Sequence, residues 1–408
     1  MITLSTADKA LKDVYLGVVA DQLNTNVNPL LAKIKQSTSD VWGKEIVKMA
    51  PYGLNGGIGA GTETGSLPVA GGNNYAQFRS TLKNLYGKIE ISDKAVRASE
   101  NSAGAFVNLL NSEMEGLIKA SQFNFGRMLY GDGTGFIAGI VNNTTSSSGN
   151  TTFTVDSVKN LAEGMLVDIK SSLGVGYSGI TAPLVIASID RVNKTVTIPV
   201  TGFTADDTKN GGYSFCVQGS YGNEITGLGA IFGNSTYLYG LTRANYGWLS
   251  PKTITAGSGG NNGHINDIIM QAAIDKLDEE MGSKVDFIVC SAGVKRDYQY
   301  YLASYRSNVD VMELAGGYKA ISYNGIPVVS DRFAPDNTMY LLDTSKFTLH
   351  QLCDWKWLEG EGGRVLHQIA GTPTYSATLV KYADLICDQP GGQAKITDIE
   401  ELSTIPSV

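Results

Sequence analysis

The residue types that could carry chemistry are few, and their spacing fits no reaction. Gly174-Val175-Gly176-Tyr177-Ser178-Gly179 has the spacing of a dinucleotide-binding fingerprint. That chemistry needs a helix N-terminus directly behind the glycines to receive a pyrophosphate. Ile180-Thr181-Ala182-Pro183 follows instead and reads as extended chain, so we assign the stretch to a loop. The three histidines, His264, His350 and His367, show no pair at helical metal spacing and have no Cys-x-x-Cys beside them. We read them as structural. The carboxylate pairs Asp206-Asp207 and Glu279-Glu280 are consecutive, so the members of each pair do not share a face of a strand or helix. Residues 205–210 lack the ligand spacing of a calcium loop. The sequence carries neither a phosphate loop ending in Gly-Lys-Ser/Thr nor a Gly-x-Ser-x-Gly nucleophile elbow. Cys216, Cys290, Cys353 and Cys387 lie far apart and read as free, mostly buried thiols of a reducing compartment. Nothing positions one of them beside a histidine for nucleophilic catalysis. We therefore expect no enzyme activity, no catalytic residue, no cofactor and no metal.

The elements that would position any such groups come next. At 408 residues the chain is long enough for two or three packed units. Hydrophobic residues make up 42%, enough for real cores, while charged residues reach only 17%, against roughly 25% in an average soluble domain. A surface covered by neighbours needs few charges, and 48 glycines point the same way. The net charge of −7 argues against a dedicated nucleic-acid binder. The first residues, MITLSTADKALKDVYLG, show no basic region followed by an apolar run. No stretch approaches the roughly 20 apolar residues that a membrane-spanning helix needs.

Thr6 is placed to cap a helix with Leu11, Val14, Val18 and Leu23 on one face. Asn28-Pro29 restarts a short helix carrying Leu30, Leu31 and Ile34. Residues 51–72 are rich in glycine, hold two prolines and lie between extended-looking flanks. A loop of that length is usually functional or disordered. Two readings stay open: a long hairpin reaching off its own subunit and ordered by a partner, or a disordered surface loop. From Ser102 to Leu129, apolar residues recur every three or four positions, including Phe106, Leu110, Met114, Leu117 and Phe125. At 1.5 Å per residue this helix would be about 40 Å long. Glycines 131, 133 and 135 stop it. Residues 142–218 read as short strands, with residues 191–194 turning a hairpin, and form a small all-β insertion. After Gly222 the pattern is α/β. A helix over 265–281 carries Ile265, Ile268, Ile269, Ala272 and Leu277 as its buried stripe, a buried strand covers 285–290, and Ser291 caps a second helix. The tail from Arg364 reads as strands.

The order of these elements resembles the major capsid proteins of tailed bacteriophages, which have the Hong Kong-97 fold. Residues 78–99 resemble the strand that returns from the family's extended loop into its spine helix, and residues 129–133 its exit. Residues 240–251, with Arg243 and Trp248, resemble the approach to the axial domain. Residues 323–350 resemble the axial strand pair, and residues 375–399 the last peripheral strands. The specificity lies in five matches in the right order.

The resemblance implies an α+β fold of Hong Kong-97 type. Its divisions would be an N-terminal arm (1–47), an extended loop (48–92), a peripheral domain with the spine helix (93–141), a β insertion (142–220), an axial domain (221–345) and a return to the peripheral domain (346–408). It further implies a structural protein that self-assembles into pentamers and hexamers of an icosahedral virion shell, built in the bacterial cytoplasm, with no membrane involved. The shell would enclose double-stranded DNA without reading its sequence, and mild like-charge repulsion suits a wall that must not hold DNA tightly. Expected partners are further copies of the chain and portal, scaffolding and decoration proteins. Inter-subunit contacts would come from Tyr52, Leu54, Ile58, Glu63, Leu67, Val69, Phe78 and Arg79. Lys33, Lys35, Lys119 and Arg127 are candidates for an inner surface, or are ordinary solvated cations. Two departures stand out. No long charged scaffolding segment precedes the arm, and residues 51–72 contain no lysine, so the family's inter-subunit cross-link is not carried over. An encapsulin-type compartment shares the fold and is the nearest rival. A secreted β-rich adhesin is a second rival, but it predicts a signal peptide.

Overall fold

Strands Phe347–Trp357 and Thr374–Cys387, the two longest among the described residues, pair antiparallel. The computed structural model describes residues 28–39, 41, 45–94, 103–145, 149–177, 180, 183–200, 203, 212–305, 311–313, 319–360 and 365–402. The expected helix after Thr6, the Ser102 cap and the Asp206-Asp207 pair lie outside these residues. Lys83–Ser92 pairs antiparallel with Thr374–Cys387, and Lys35–Ser37 pairs parallel with Phe347–Trp357. In Lys83–Ser92 the inward positions are Leu85, Ile89 and Ile91, the period-two pattern of a sheet with one buried face.

The long helix Ala103–Met128 packs against this sheet. Met114, Ile118, Ser121 and Phe125 are buried at three- and four-residue steps. Gly87 leaves room for Leu117 as the helix passes: a Cβ there would lie 2.9 Å from Leu117 Cδ1. The side chains of residues 103–112 lie outside the described set, so Phe106 and Leu110 are placed only as helical.

The insertion is a seven-stranded sheet whose core includes Phe153, Val167, Val196, Ile198 and Phe215. It begins with strand Phe136–Thr145, earlier than the expected residue 142, because Ile137, Ala138 and Ile140 already point into its core. Residues 190–194 turn the hairpin between Ser188–Asp190 and Thr195–Ile198: the Asp190 carboxylate accepts from the amides of Val192 and Asn193, and Lys194 takes φ 52°. The stretch from Gly174 to Tyr177 is loop, and extended strand Leu184–Val185 follows, not a helix.

The second seven-stranded sheet runs in the order Lys252–Thr255, Ala394–Thr397, Met339–Leu342, Phe287–Cys290, Ile326–Ser330, Lys319–Tyr323, Val311–Glu313. Strand Phe287–Cys290 is buried on both sides: Phe287 and Val289 join the core beneath the long helix, while Ile288 and Cys290 join a core with the two helices. Such a strand reads as a continuous apolar run. Asn266 caps helix Asp267–Met281, its side chain accepting from the Ile269 amide at 2.9 Å. This start differs from expectation, since Ile265 lies before the helix. Ile265 and Leu277 are buried as expected and Ile269 packs partly on the same core, but the helix buries Met270 and Ala273, and Ile268 and Ala272 are exposed. Ser291 caps the second helix, Ala292–Tyr305, accepting from the Val294 amide at 3.2 Å. Residues 394–397 were expected in the sheet under the long helix. They lie in this second sheet instead, because Ala394 and Ile396 fill its core.

Candidate assembly surface

Strands Ile46–Tyr52 and Asn74–Ser80 form a two-stranded antiparallel ribbon. Its root is held by aromatic packing. Phe78 is fully buried, with ring centroids 5.3 Å from Tyr239 and 5.7 Å from Trp248. Tyr52 stacks on Trp248 at 5.7 Å. Polar contacts complete the anchor: the Arg79 amide donates to the Tyr239 carbonyl at 2.9 Å, and Lys48 meets Asp388 at 2.7 Å. Ser80 Oγ donates to the buried Asp384 carboxylate, which also accepts from the Thr226 amide at 2.7 Å. Burial pushes the Asp384 carboxyl above the usual carboxylate range, and the hydrogen bonds from Ser80 and Thr226 oppose it.

Beyond Tyr52 and Asn74 the two sides of the loop stay together without a regular ladder. Their backbones touch at Gly57 and Gly71, where a Cβ on Gly71 would lie 2.5 Å from the Gly57 nitrogen. No other residue type permits that approach. The Gly65 amide closes the tip onto the Thr62 carbonyl at 3.1 Å, and Asn55 bonds across to Asn73. The loop thus has a shape, but almost no side-chain packing on its own subunit. Leu54, Ile58, Leu67 and Val69 are each more than 80% exposed. Four large apolar side chains exposed on one loop supply the material of an interaction surface. Glu63 at the tip is exposed as well.

The expected contact residues separate into two groups. Leu54, Ile58, Glu63, Leu67, Val69 and Arg79 are exposed, and Tyr52 is half-buried at the root. Phe78 requires correction: it is an internal anchor, unavailable to a neighbour, because its position in the ribbon points inward onto Tyr239 and Trp248. On the helix, Met114 and Phe125 are core residues and Leu117 is half-buried. Of the inner-surface candidates, Lys33, Lys35 and Lys119 are exposed. Arg127 is not: it is 3% exposed and paired with Glu224 on the segment that leaves the insertion.

Several buried polar groups escaped the sequence reading. Tyr130 OH donates to Asp331 at 2.8 Å, and burial raises the pKa of both. Lys381 and Asp384 are the only charged residues of Thr374–Cys387, and both are buried. Two lone charges inside an otherwise uncharged strand were the available signal. Among the described residues no group of three or more His, Cys, Asp or Glu is placed to hold a metal, and no helix is long and apolar enough to cross a membrane. Burial pushes the Cys290 thiol up to about 12, so it stays protonated.

The sequence matches no protein-family model and no curated protein. Solved structures do match. The chain is similar to the Cyanophage A-1(L) capsid asymmetric unit, with a TM-score of 0.51 and 14% identity over 93% of this chain and 92% of that one. It is also similar to the holo-SrpI encapsulin complex from Synechococcus elongatus PCC 7942 (TM-score 0.44, 8% identity, 93% and 91% covered) and to the satellite phage P4 procapsid with its size determination protein (0.46, 10%, 94% and 91%). The architecture is the α+β fold of Hong Kong-97-type capsid proteins, and it spans nearly the whole chain.

Proposed function

We propose that the chain is the major shell subunit of a bacteriophage head, assembling through its ribbon and loop into pentamers and hexamers around double-stranded DNA. The observation that carries this reading is the loop of residues 53–73: a shaped, glycine-closed projection with four exposed apolar side chains and a rigid root. Such a projection costs entropy to order and exposes apolar area, and both costs are offset when it lies on a second copy. The capsid-type fold supports the reading. Repeated contacts between identical subunits close into a symmetric shell. The same assembly in the virion would place portal, scaffolding and decoration proteins among its partners.

Purified protein examined by negative-stain microscopy tests this directly. Shells should form, and deleting residues 54–72 should leave a folded but unassembled subunit. Deleted chains that still build shells would remove the loop from the argument. Shells that enclose protein cargo and no DNA would move the chain to the encapsulin-type reading.

A further inference from the structure

Lys381 lies almost fully buried in the middle of strand Thr374–Cys387. Its Nζ is 2.7 Å from Gln351 Oε1 and 2.6 Å from Asp354 Oδ1, both on the neighbouring strand. Gln351 is buried as well. The rings of Phe125 and Trp355 enclose the amine, with centroids 5.1 and 6.0 Å from Nζ. The carboxylate offsets the charge and the carboxamide oxygen accepts a second of the three N–H donors. The same arrangement puts the amine against the carboxamide group with a carboxylate beside both.

The local backbone is shaped to make this cluster. Gln351 and Asp354 are three residues apart, so regular alternation would put them on opposite faces. Strand Phe347–Trp357 instead shifts register between Gln351 and Cys353 and again between Cys353 and Lys356. Irregularities of this kind re-aim side chains and are frequent beside active sites. Here both groups reach the one amine.

We propose that Lys381 and Gln351 join in an intrachain isopeptide bond, with Asp354 carrying the proton. Proton transfer to Asp354 leaves the amine neutral, the state that burial favours; desolvation lowers the Lys381 pKa, against the opposing pull of Asp354. The Nζ lone pair attacks Gln351 Cδ and a C–N bond forms. Asp354 takes a proton from Nζ and delivers one to Nε2, the Cδ–Nε2 bond breaks, and ammonia leaves. Amine and carboxamide become a secondary amide plus ammonia, and no oxidant or reductant is needed. Lys381 and Gln351 are shielded from the water that would compete, while Asp354 keeps partial contact with solvent. The bond would tie together the two longest strands beneath the long helix. This inference stands apart from the shell reading, since it concerns one chain alone.

The test is the intact mass of the purified full-length chain, followed by protease digestion and peptide sequencing. The chain should be lighter than its sequence by one ammonia, and a branched peptide should join Gln351 to Lys381. Lys381→Met should have its full sequence mass. Asp354→Asn should link about a hundredfold more slowly. Wild-type protein that keeps its full sequence mass after prolonged incubation overturns the proposal, whether or not the variants fold. So does loss of water with Lys381 joined to Asp354, which would exclude Gln351 as the acceptor.

Discussion

Arg127 and Glu224 meet in a buried fork: Nη1 lies 3.0 Å from Oε2 and Nη2 lies 2.5 Å from Oε1, with both side chains shielded from water. Asn124 Oδ1 accepts from the same guanidinium at 3.1 and 2.7 Å. The pair joins the last turns of the long helix to the segment leaving the β insertion.

Removing one partner leaves the other charge buried and uncompensated. Arg127→Leu should therefore cost about 3–5 kcal/mol of stability. Arg127→Leu combined with Glu224→Leu should recover much of that loss, because no lone charge remains. Denaturant unfolding of the two single variants and the double variant checks this, and strictly additive losses would argue against the coupling.

The anchor of the ribbon is apolar. Phe78→Ala opens a cavity against Tyr239 and Trp248 and should cost about 3–5 kcal/mol. The change should appear as a lowered unfolding midpoint of the isolated subunit, before any assembly is measured.

The loop should behave in the opposite way. Leu67→Ser with Val69→Ser alters side chains that touch almost nothing on their own subunit. Subunit stability should stay within about 0.5 kcal/mol, while the yield of shells in sedimentation should fall at least tenfold. A variant that assembles normally would mean that these two side chains meet no neighbour.

Asp384 gives the pH prediction. Burial raises its pKa, so the folded chain holds this proton where the unfolded chain has already released it. The contribution of the group to stability is greatest below the ordinary carboxylate value and falls as pH rises toward the raised one. Asp384→Asn removes that slope. The stability of wild type relative to the variant should decrease as pH rises above the ordinary carboxylate value of about 4 and be level above the raised pKa. Urea unfolding across that range reads it. Asp331 is shifted in the same direction and stays in both proteins, so only the difference is diagnostic.

How far the sequence was legible depends on how local each determinant is. The long helix was visible because its stripe repeats over seven turns, and Ser291 and Asn28 were readable as caps because a cap acts within three residues. Helix Asp267–Met281 was only partly phased: Ile265 and Leu277 are buried, but the adjacent isoleucines fit more than one face by spacing, and packing against the sheet selected Met270 and Ala273 and left Ile268 exposed. The glycines of the loop were noticed for their freedom. Their actual role at Gly57 and Gly71 is close backbone approach, which only the folded pairing reveals. Arg127 could not be told from a solvated cation, because Glu224 lies 97 residues away. The cluster at Lys381 was equally hidden, since two register shifts brought its members together.

The placement of Ala394–Thr397 has a consequence for the timing of folding. This strand sits between Lys252–Thr255 and Met339–Leu342, parallel to the first and antiparallel to the second. The edge strand Lys252–Thr255 therefore stays separated from the rest of the sheet until residue 397 has left the ribosome. A nascent chain can finish the β insertion, whose strands are all synthesised by Val217, long before it can close this sheet. Premature closure is thus blocked by connectivity itself, and a chain released early would carry two unfilled strand edges as a mark of its incompleteness.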